Sequence, residues 1–427
     1  MWAVENDEIF DILLQREADC NLCTNEGENV LMMACGLGKV DIVIKILRTA
    51  RQRLVLYINQ RKVNGVTALQ KACECEEKEA RFEIANMLLM ANANPQTSDV
   101  FQHSSPLHLA SAFNDVRLMN LFLWERNTDV NFVDKDGVIP LFIAAENGFP
   151  HIVFSLLDKG ADPLKSRLTD GATPLLISAE RGHLEVVKIL LEVKGIGIGI
   201  NCVNVQNSTP LLLATLNNNT KVCECLLDHG ADVNTSNQNG YDPILVASRN
   251  GNTKLIHLYL RKGANINSLA IPDHNTPLHL AAMMGNKSAT KYLLANGADP
   301  ELKNKEGLTP YVVATYRKQK EIEDVLFRFR MFGSDLTEFQ TPSIESPHTP
   351  TSLFSSEHSN IIPSSDSIIT KGQKTQTLRK MLKITRTNNI PKMVRVPSRT
   401  SIASSSASSN VYSDKGSSAS STGSLFG

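Results

Sequence analysis

The stretch Thr-Pro-Leu-His-Leu-Ala at residues 276–281 decides the fold, because variants of it recur along the chain. The repeated prolines stand at 106, 140, 174, 210, 243, 277 and 310, in steps of 34, 34, 36, 33, 34 and 33 residues. A fixed period of this length is typical of a stack of small units rather than of one globular core. The sequence therefore predicts a repeat array, which points to binding rather than to chemistry.

Each repeated unit carries the signals of two helices. Thr276 and Pro277 suit a helix start, since threonine caps the first turn and proline there loses no hydrogen bond. Gly285 predicts the end of this helix, and Gly297 ends a second helix over 288–295. A polar turn then leads to the next unit.

Glycine stands three residues before the motif proline in most units, where the turn needs a left-handed backbone. Asn207 and His274 occupy this place in their units. Asparagine and histidine tolerate that backbone better than most side chains. We therefore expect both residues to have positive φ.

These units resemble those of the ankyrin-repeat family, whose 33-residue unit is a helix–turn–helix followed by a β-turn. The resemblance covers at least seven units from about 100 to 330, two degenerate units before them and a half unit at 3–20. It implies an all-α repeat solenoid of stacked units, with about nine repeats and an amino-terminal half repeat over 1–332. The last unit departs from the pattern, since Arg-Lys-Gln-Lys at 317–320 stands where Gly-His is usual.

Three insertions lengthen individual units, at 48–62, 73–81 and 194–200. Loops of repeat arrays absorb such insertions and often add recognition surface.

Composition and charge exclude several classes of protein. Lys plus Arg and Asp plus Glu each total 44, so the overall charge favours neither a nucleic-acid partner nor an acidic substrate. No stretch approaches the ~20 apolar residues that a membrane span requires. The first residues show no secretory signal pattern, so the eight cysteines are expected as free thiols in a reducing compartment. We expect a cytoplasmic protein, with the cytoskeleton or the nucleus as alternatives.

The sequence offers no constellation typical of an enzyme, a cofactor site or a metal site. Gly195-x-Gly197-x-Gly199 lacks the strand, helix and Lys-Ser/Thr of a phosphate-binding loop. The Cys-x-x-Cys pair at 20–23 lacks a second ligand pair at finger spacing. His108 and His279 belong to the motif, and the resemblance implies that they join neighbouring units by hydrogen bonds.

The resemblance also implies a partner-binding concave face, formed by the turn tips and the ends of the first helices. Its positions lie two, four and five residues before the motif proline and six and seven after it. Aromatic, methionine and arginine side chains supply most of the energy of an interface. The predicted contact residues are Phe113, Arg181, Tyr241, Arg249, Met283, Met284, Tyr316 and Arg317.

Asn131 and Asn234 each stand in an Asp-Val-Asn sequence that resembles the ankyrin site of asparaginyl hydroxylation. The alternative, which we favour, is that each asparagine braces the adjoining β-turn.

Residues 333–427 are rich in serine, threonine and proline, a composition typical of disorder. Thr341, Ser346 and Thr349 each precede a proline, and Ser401 follows Arg399 by two, so all four are candidate phosphorylation sites. Nine Lys and Arg lie in the basic segment 371–399, which could meet a partner groove, an anionic surface or a nuclear import receptor. Lys-Thr-Gln-Thr at 374–377 resembles a dynein light chain ligand. The alternative is a solvated linker.

The function predicted from these features is a non-enzymatic scaffold or adaptor with a phosphorylatable regulatory tail. The concave face would bind a protein or a peptide, with no small-molecule substrate. Three alternatives stay open. One is the targeting part of a kinase or ubiquitin ligase complex, the second is a cytoskeletal element, and the third is a nucleic-acid binder acting through 371–399.

Overall fold

The computed structural model describes residues 2–53, 57–100, 102, 104–125, 128–193 and 199–333. Throughout these residues the regular structure is helical, apart from an isolated bridge between Cys23 and Asn29. The predicted all-α repeat solenoid is confirmed.

Each unit consists of an inner helix followed by an outer helix. The inner helices are α2 (Val30–Gly36), α4 (Ala68–Glu74), α6 (Pro106–Ala112), α8 (Pro140–Glu146), α10 (Pro174–Arg181), α12 (Pro210–Leu216), α14 (Pro243–Asn250), α16 (Pro277–Met283) and α18 (Pro310–Tyr316). The outer helices are α3 (Val40–Arg53), α5 (Lys78–Met90), α7 (Val116–Trp124), α9 (Pro150–Asp158), α11 (Leu184–Glu192), α13 (Thr220–Asp228), α15 (Thr253–Arg261), α17 (Lys287–Ala295) and α19 (Lys320–Phe332). A 3-10 helix, Trp2–Glu5, and helix α1, Asp7–Gln15, precede them.

The core is continuous along the stack, because every inner helix packs on its own outer helix and on the inner helices beside it. The side chains of Phe122, Phe142 and Tyr259 are fully buried between these layers. In such a stack each unit packs mainly on its neighbours, so its stability depends on the units on either side.

The helix starts form as the sequence predicts. The side chains of Thr173, Thr209 and Thr276 each accept a hydrogen bond from the backbone N–H of the third helical residue, while proline fills the first position. These bonds satisfy donors that a helix start leaves without a partner.

The left-handed backbone falls where the sequence places it. Asn207 has φ of 59° and His274 has φ of 55°, which confirms both predictions. In the last unit Lys318 adopts φ of 58° at the position where the other motif units carry glycine or asparagine. The last unit therefore keeps the same left-handed backbone, although a lysine disfavours positive φ.

Adjacent turns are joined by backbone hydrogen bonds. Leu168 N–H donates to the carbonyl of Asp136 at 2.9 Å, and Lys305 N–H donates to that of Asp273 at 2.9 Å. The turn tips are thus held in a row along one face of the stack.

Replacing Gly240 by alanine is expected to destabilise this row strongly. Gly240 has φ of 70°, and a Cβ there would lie 2.6 Å from the backbone nitrogen of Ile271. Gly307 is a matched control, because it has φ of 77° and a Cβ would meet nothing within 4 Å. Gly307→Ala should cost about 1–2 kcal/mol for the left-handed backbone alone. Gly240→Ala should cost about 1–3 kcal/mol more, because the turn backbone must move. Urea unfolding of both variants measures the difference, and equal losses would contradict the close approach.

The insertion at 73–81 is anchored by a buried arginine that the sequence shows only as part of a charged run. Arg81 is 5% exposed, and its Nε donates to the carbonyl oxygen of Cys75 at 2.8 Å. Its guanidinium also forms a 3.4 Å ion pair with Asp115, which is itself buried and caps α7. Arg81 therefore ties the insertion to the following unit. The other two insertions lie partly outside the described residues.

Candidate functional site

The two motif histidines are structural. Nε2 of His108 lies 3.0 Å from the carbonyl of Val138, and Nε2 of His279 lies 2.9 Å from that of Leu308. In each, Nδ1 lies 2.8 Å from the capping hydroxyl of its own unit. A neutral ring fits this network, with Nε2–H donating and Nδ1 accepting, and burial lowers the pKa of both histidines. The predicted bridges between units are confirmed.

The cysteines are free thiols within the described residues. Burial raises the pKa of Cys35 and of Cys73, so these thiols stay protonated and unreactive. Across the part of the chain that the structure describes, no group of three or more His, Cys, Asp and Glu could hold a metal ion. Nor does any helix described there have the length and apolar character to cross a membrane.

Asn131 and Asn234 brace the turns. Oδ1 of Asn131 accepts from the N–H of Asp162 at 2.7 Å, and its Nδ2 donates to the carbonyl of Gly160 at 3.3 Å. Asn234 makes the equivalent bonds to Asn265 and Gly263, each 3.3 Å long. The structural alternative thus has direct support, and hydroxylation of either residue stays a prediction.

The eight residues predicted for the concave face are accessible to different degrees. Tyr241 and Met283 are half-buried. The six that are exposed are Phe113, Arg181, Arg249, Met284, Tyr316 and Arg317. Exposure alone does not test binding, so their role stays a prediction.

The position two residues before the motif proline is not free, contrary to the sequence-based expectation. Val138, Ala172, Ser208 and Asn275 are all buried there. Residues at this position pack where the turn folds back over the inner helix. In most units they therefore hold the stack together and do not face a partner.

Arg181 and Phe113 already contact charged residues of the neighbouring units. Arg181 forms a 3.2 Å ion pair with Glu146 on the preceding inner helix. The guanidinium of Arg81 lies 4.9 Å from the ring centre of Phe113. A ligand that engages Arg181 or Phe113 would compete with these contacts.

An open cleft of about 570 Å³ lies between the last two described turns and the ends of their inner helices. We call it the terminal cleft. Its helix-end residues are Met283, Val313, Tyr316 and Arg317. Its turn residues are Asp273, Asn275, Asn304, Glu306 and Leu308. The structure thus brings three predicted contact residues, Met283, Tyr316 and Arg317, into one site.

Asn304 is a cleft residue that the sequence reasoning missed. Its Oδ1 accepts from the N–H of Glu306 at 3.1 Å and from that of Leu308 at 2.9 Å. Asp134 and Asn237 accept the same pair of turn bonds in their units. The recurrence of Asn or Asp three residues before the turn glycine was the available signal.

Several predicted sites lie outside the described residues. These are Thr341, Ser346, Thr349, Ser401, the basic segment 371–399, and the Lys-Thr-Gln-Thr sequence at 374–377 within it.

Known proteins resemble this chain over its repeated part. The human transient receptor potential cation channel subfamily A member 1 is 29% identical over 311 residues, which are 71% of this chain and 27% of that protein. The NF-kappa-B p105 subunit of Gallus gallus is 31% identical over 156 residues, 36% of this chain and 15% of that protein. The chain thus matches only a minor part of each relative's length.

Among solved structures, the ankyrin repeat domain of Bcl-3, a member of the IkappaB family, is similar with a TM-score of 0.46 and 25% identity. The match covers 52% of this chain and 98% of that one.

The family comparison matches the repeats themselves. The profile described as ankyrin repeats (3 copies) matches residues 1–99, 107–202, 193–270 and 244–338. These matches cover well over half of the chain and coincide with the helix pairs described above. The protein therefore belongs to the ankyrin-repeat family.

Proposed function

We propose that this protein is a non-enzymatic scaffold or adaptor that binds a protein or peptide through its concave face. Ankyrin arrays are protein–protein interaction modules, and the family assignment supports this class of function. The observation that carries the proposal is the terminal cleft, where Met283, Tyr316 and Arg317 meet. Residues of these types supply most of the binding energy in interfaces.

The accessible groups extend beyond the cleft. Arg249 and Met284 are exposed at the ends of neighbouring inner helices. Tyr316 is 73% exposed, although a large aromatic side chain gains by burial. A partner that lies along this face would bury them together.

We also propose that residues 333–427 regulate or tether the complex. Phosphorylation at Thr341, Ser346, Thr349 or Ser401 would add negative charge near a segment with nine cationic side chains. That change would weaken attraction to an acidic partner or an anionic surface. Comparing partner capture by the full chain and by residues 1–332 tests this role, and identical captures would contradict it.

Reversing two charges on the concave face is expected to remove most partner capture. The double variant Arg181→Glu/Arg249→Glu changes exposed positions, so folding should be retained while two cationic contact residues of the face are lost and their charge is reversed. Proximity labelling in cells, using the full chain, measures which proteins are lost. We expect capture of concave-face partners to fall roughly tenfold or more, which corresponds to about 1.4 kcal/mol.

The matched control reverses two lysines on the outer helices, Lys221→Glu/Lys254→Glu. Both lysines are exposed and lie near helix starts, where a negative side chain is tolerated. An equal loss in the control would show that net charge, rather than the concave face, governs capture. An unchanged partner set in the Arg181/Arg249 variant would refute binding through that face.

A further inference from the structure

We propose that the terminal cleft selects a single basic side chain, lysine or arginine, of an extended peptide segment. This inference rests on the proposed function, because it assumes that peptides bind the concave face, and it adds the chemistry that the cleft recognises.

The cleft presents two carboxylates without partners in the stack. Asp273 and Glu306 occupy equivalent positions in adjacent turns, four residues before the motif proline, and both are exposed. Among the described residues neither side chain makes a hydrogen bond or an ion pair, although the backbones of these turns are bonded to each other. A cation between the two turns would interact favourably with both carboxylates.

A buried amide in the same cleft lacks an acceptor. Because Oδ1 of Asn304 accepts two backbone N–H bonds, its Nδ2 must be the atom that donates to Oδ1 of Asn275, at 3.1 Å. This fixes the orientation of Asn275, which is 5% exposed. Its Nδ2 then has no acceptor among the described residues, and Asn275 is one of the residues that line the cleft.

This nitrogen is not among the sealed polar atoms of the described residues, so water reaches it, and a peptide acceptor could replace that water. A main-chain carbonyl of a bound peptide would supply this acceptor, whatever side chains the peptide carries. The amide of Asn275 therefore indicates a peptide rather than a free cation.

The helix ends supply the walls for the stem of a basic side chain. Tyr316 is 73% exposed, and Met283 lines the same cleft. Aromatic faces attract lysine and arginine, and the aliphatic stems of these residues pack on apolar groups.

Arg317 limits the cleft to one basic residue. In an earlier unit the equivalent Arg181 is neutralised by Glu146, six residues after its motif proline. Met283 occupies that position before Arg317, and the one side-chain bond of Arg317 to a described residue goes to its sulfur, at 3.9 Å. Arg317 forms no ion pair with any described residue and would repel a second cation. We therefore expect a basic residue with uncharged or acidic neighbours rather than a polybasic run.

A peptide library tests this specificity on the purified full chain. The probes are immobilised nine-residue peptides with a fixed central Lys, Arg, Gln, Ala, Asp or Glu and randomised uncharged flanks, together with a series that carries three adjacent lysines. We expect peptides with a single central Lys or Arg to bind roughly tenfold more tightly than those with Ala, a preference that added salt weakens. The polybasic series should bind no better than the single-lysine series.

The variant Asp273→Asn/Glu306→Gln should remove this preference without affecting folding, because both changes are isosteric and exposed. The control Asp136→Asn/Glu180→Gln removes the same charge from the same face, outside the cleft. Equal losses in both variants, a preference for acidic centres, or no central preference would overturn the inference. If such peptides still bind in a manner sensitive to Tyr316→Ala, the proposed function stands and only the basic specificity fails. If no peptide binds and the Arg181/Arg249 variant keeps its partners, the proposed function fails as well.

Discussion

Replacing Arg81 by alanine is expected to lower the free energy of unfolding by about 3–5 kcal/mol. The guanidinium is buried against Asp115 at 3.4 Å and donates to the carbonyl of Cys75. Truncation leaves a buried carboxylate without its counter-ion and a buried carbonyl without its donors. It also removes the cation that covers the ring of Phe113. Urea unfolding of the full chain, followed by circular dichroism, measures the loss.

Arg117→Ala is the matched control, because it removes another arginine ion pair from the same region. Arg117 lies 2.6 Å from a carboxylate oxygen of Glu79, but both side chains are more than half exposed. Exposed pairs contribute about 0–1 kcal/mol, since water screens both partners. If the two variants lose equal stability, the burial of Arg81 does not have the energetic role assigned to it.

Tyr259→Ala is expected to be the second large loss, again about 3–5 kcal/mol, because it leaves a ring-sized cavity. Tyr259 is fully buried on outer helix α15. Its hydroxyl lies 2.6 Å from Oγ1 of Thr215 on the inner helix of the preceding unit. The Thr215 hydroxyl donates to the carbonyl of Leu211 at 2.7 Å, so the tyrosine O–H donates to threonine. The side chain therefore joins two units by both packing and hydrogen bonding.

Tyr259→Phe separates these contributions, since it keeps the ring and removes only the hydroxyl. We expect a loss of about 0.5–1.5 kcal/mol, the usual net value of one hydrogen bond. Hydrogen exchange should show faster opening of units between 210 and 261 in Tyr259→Ala than of units near 70. Uniform opening throughout the stack would contradict the nearest-neighbour coupling expected of a repeat array.

Much of the fold could be predicted from the sequence because the determining interactions are short in range. The side chain of Thr276 caps a helix by accepting a hydrogen bond from the backbone N–H of His279, three positions later. Asn207 adopts positive φ because asparagine tolerates this backbone conformation better than most residues. Both predictions needed only the properties of residues within a few positions and the repeat period of 33 to 36 residues. The expectation that failed concerned Ser208 and its equivalents, whose burial depends on how the turn folds back over the inner helix.

The candidate site could be predicted only in part. Counting from the motif proline placed Met283, Tyr316 and Arg317 on one face, and the structure brings them together in the terminal cleft. The count did not show that Arg181 is paired with Glu146, while Arg317 has no acidic partner among the residues that the structure describes. It also did not show that Asn304 orients Asn275.

The sequence by itself determined the repeat period, the helix pair within each unit and the left-handed positions, because these depend on neighbours within a few residues. Only the tertiary structure decided which polar groups are buried, paired or left open. Arg81 and Asp115 are 34 residues apart in sequence, and Asn304 and Asn275 are 29 apart. Such partners meet across the interface between two units, so their contacts depend on the stacking geometry, which a single unit does not specify.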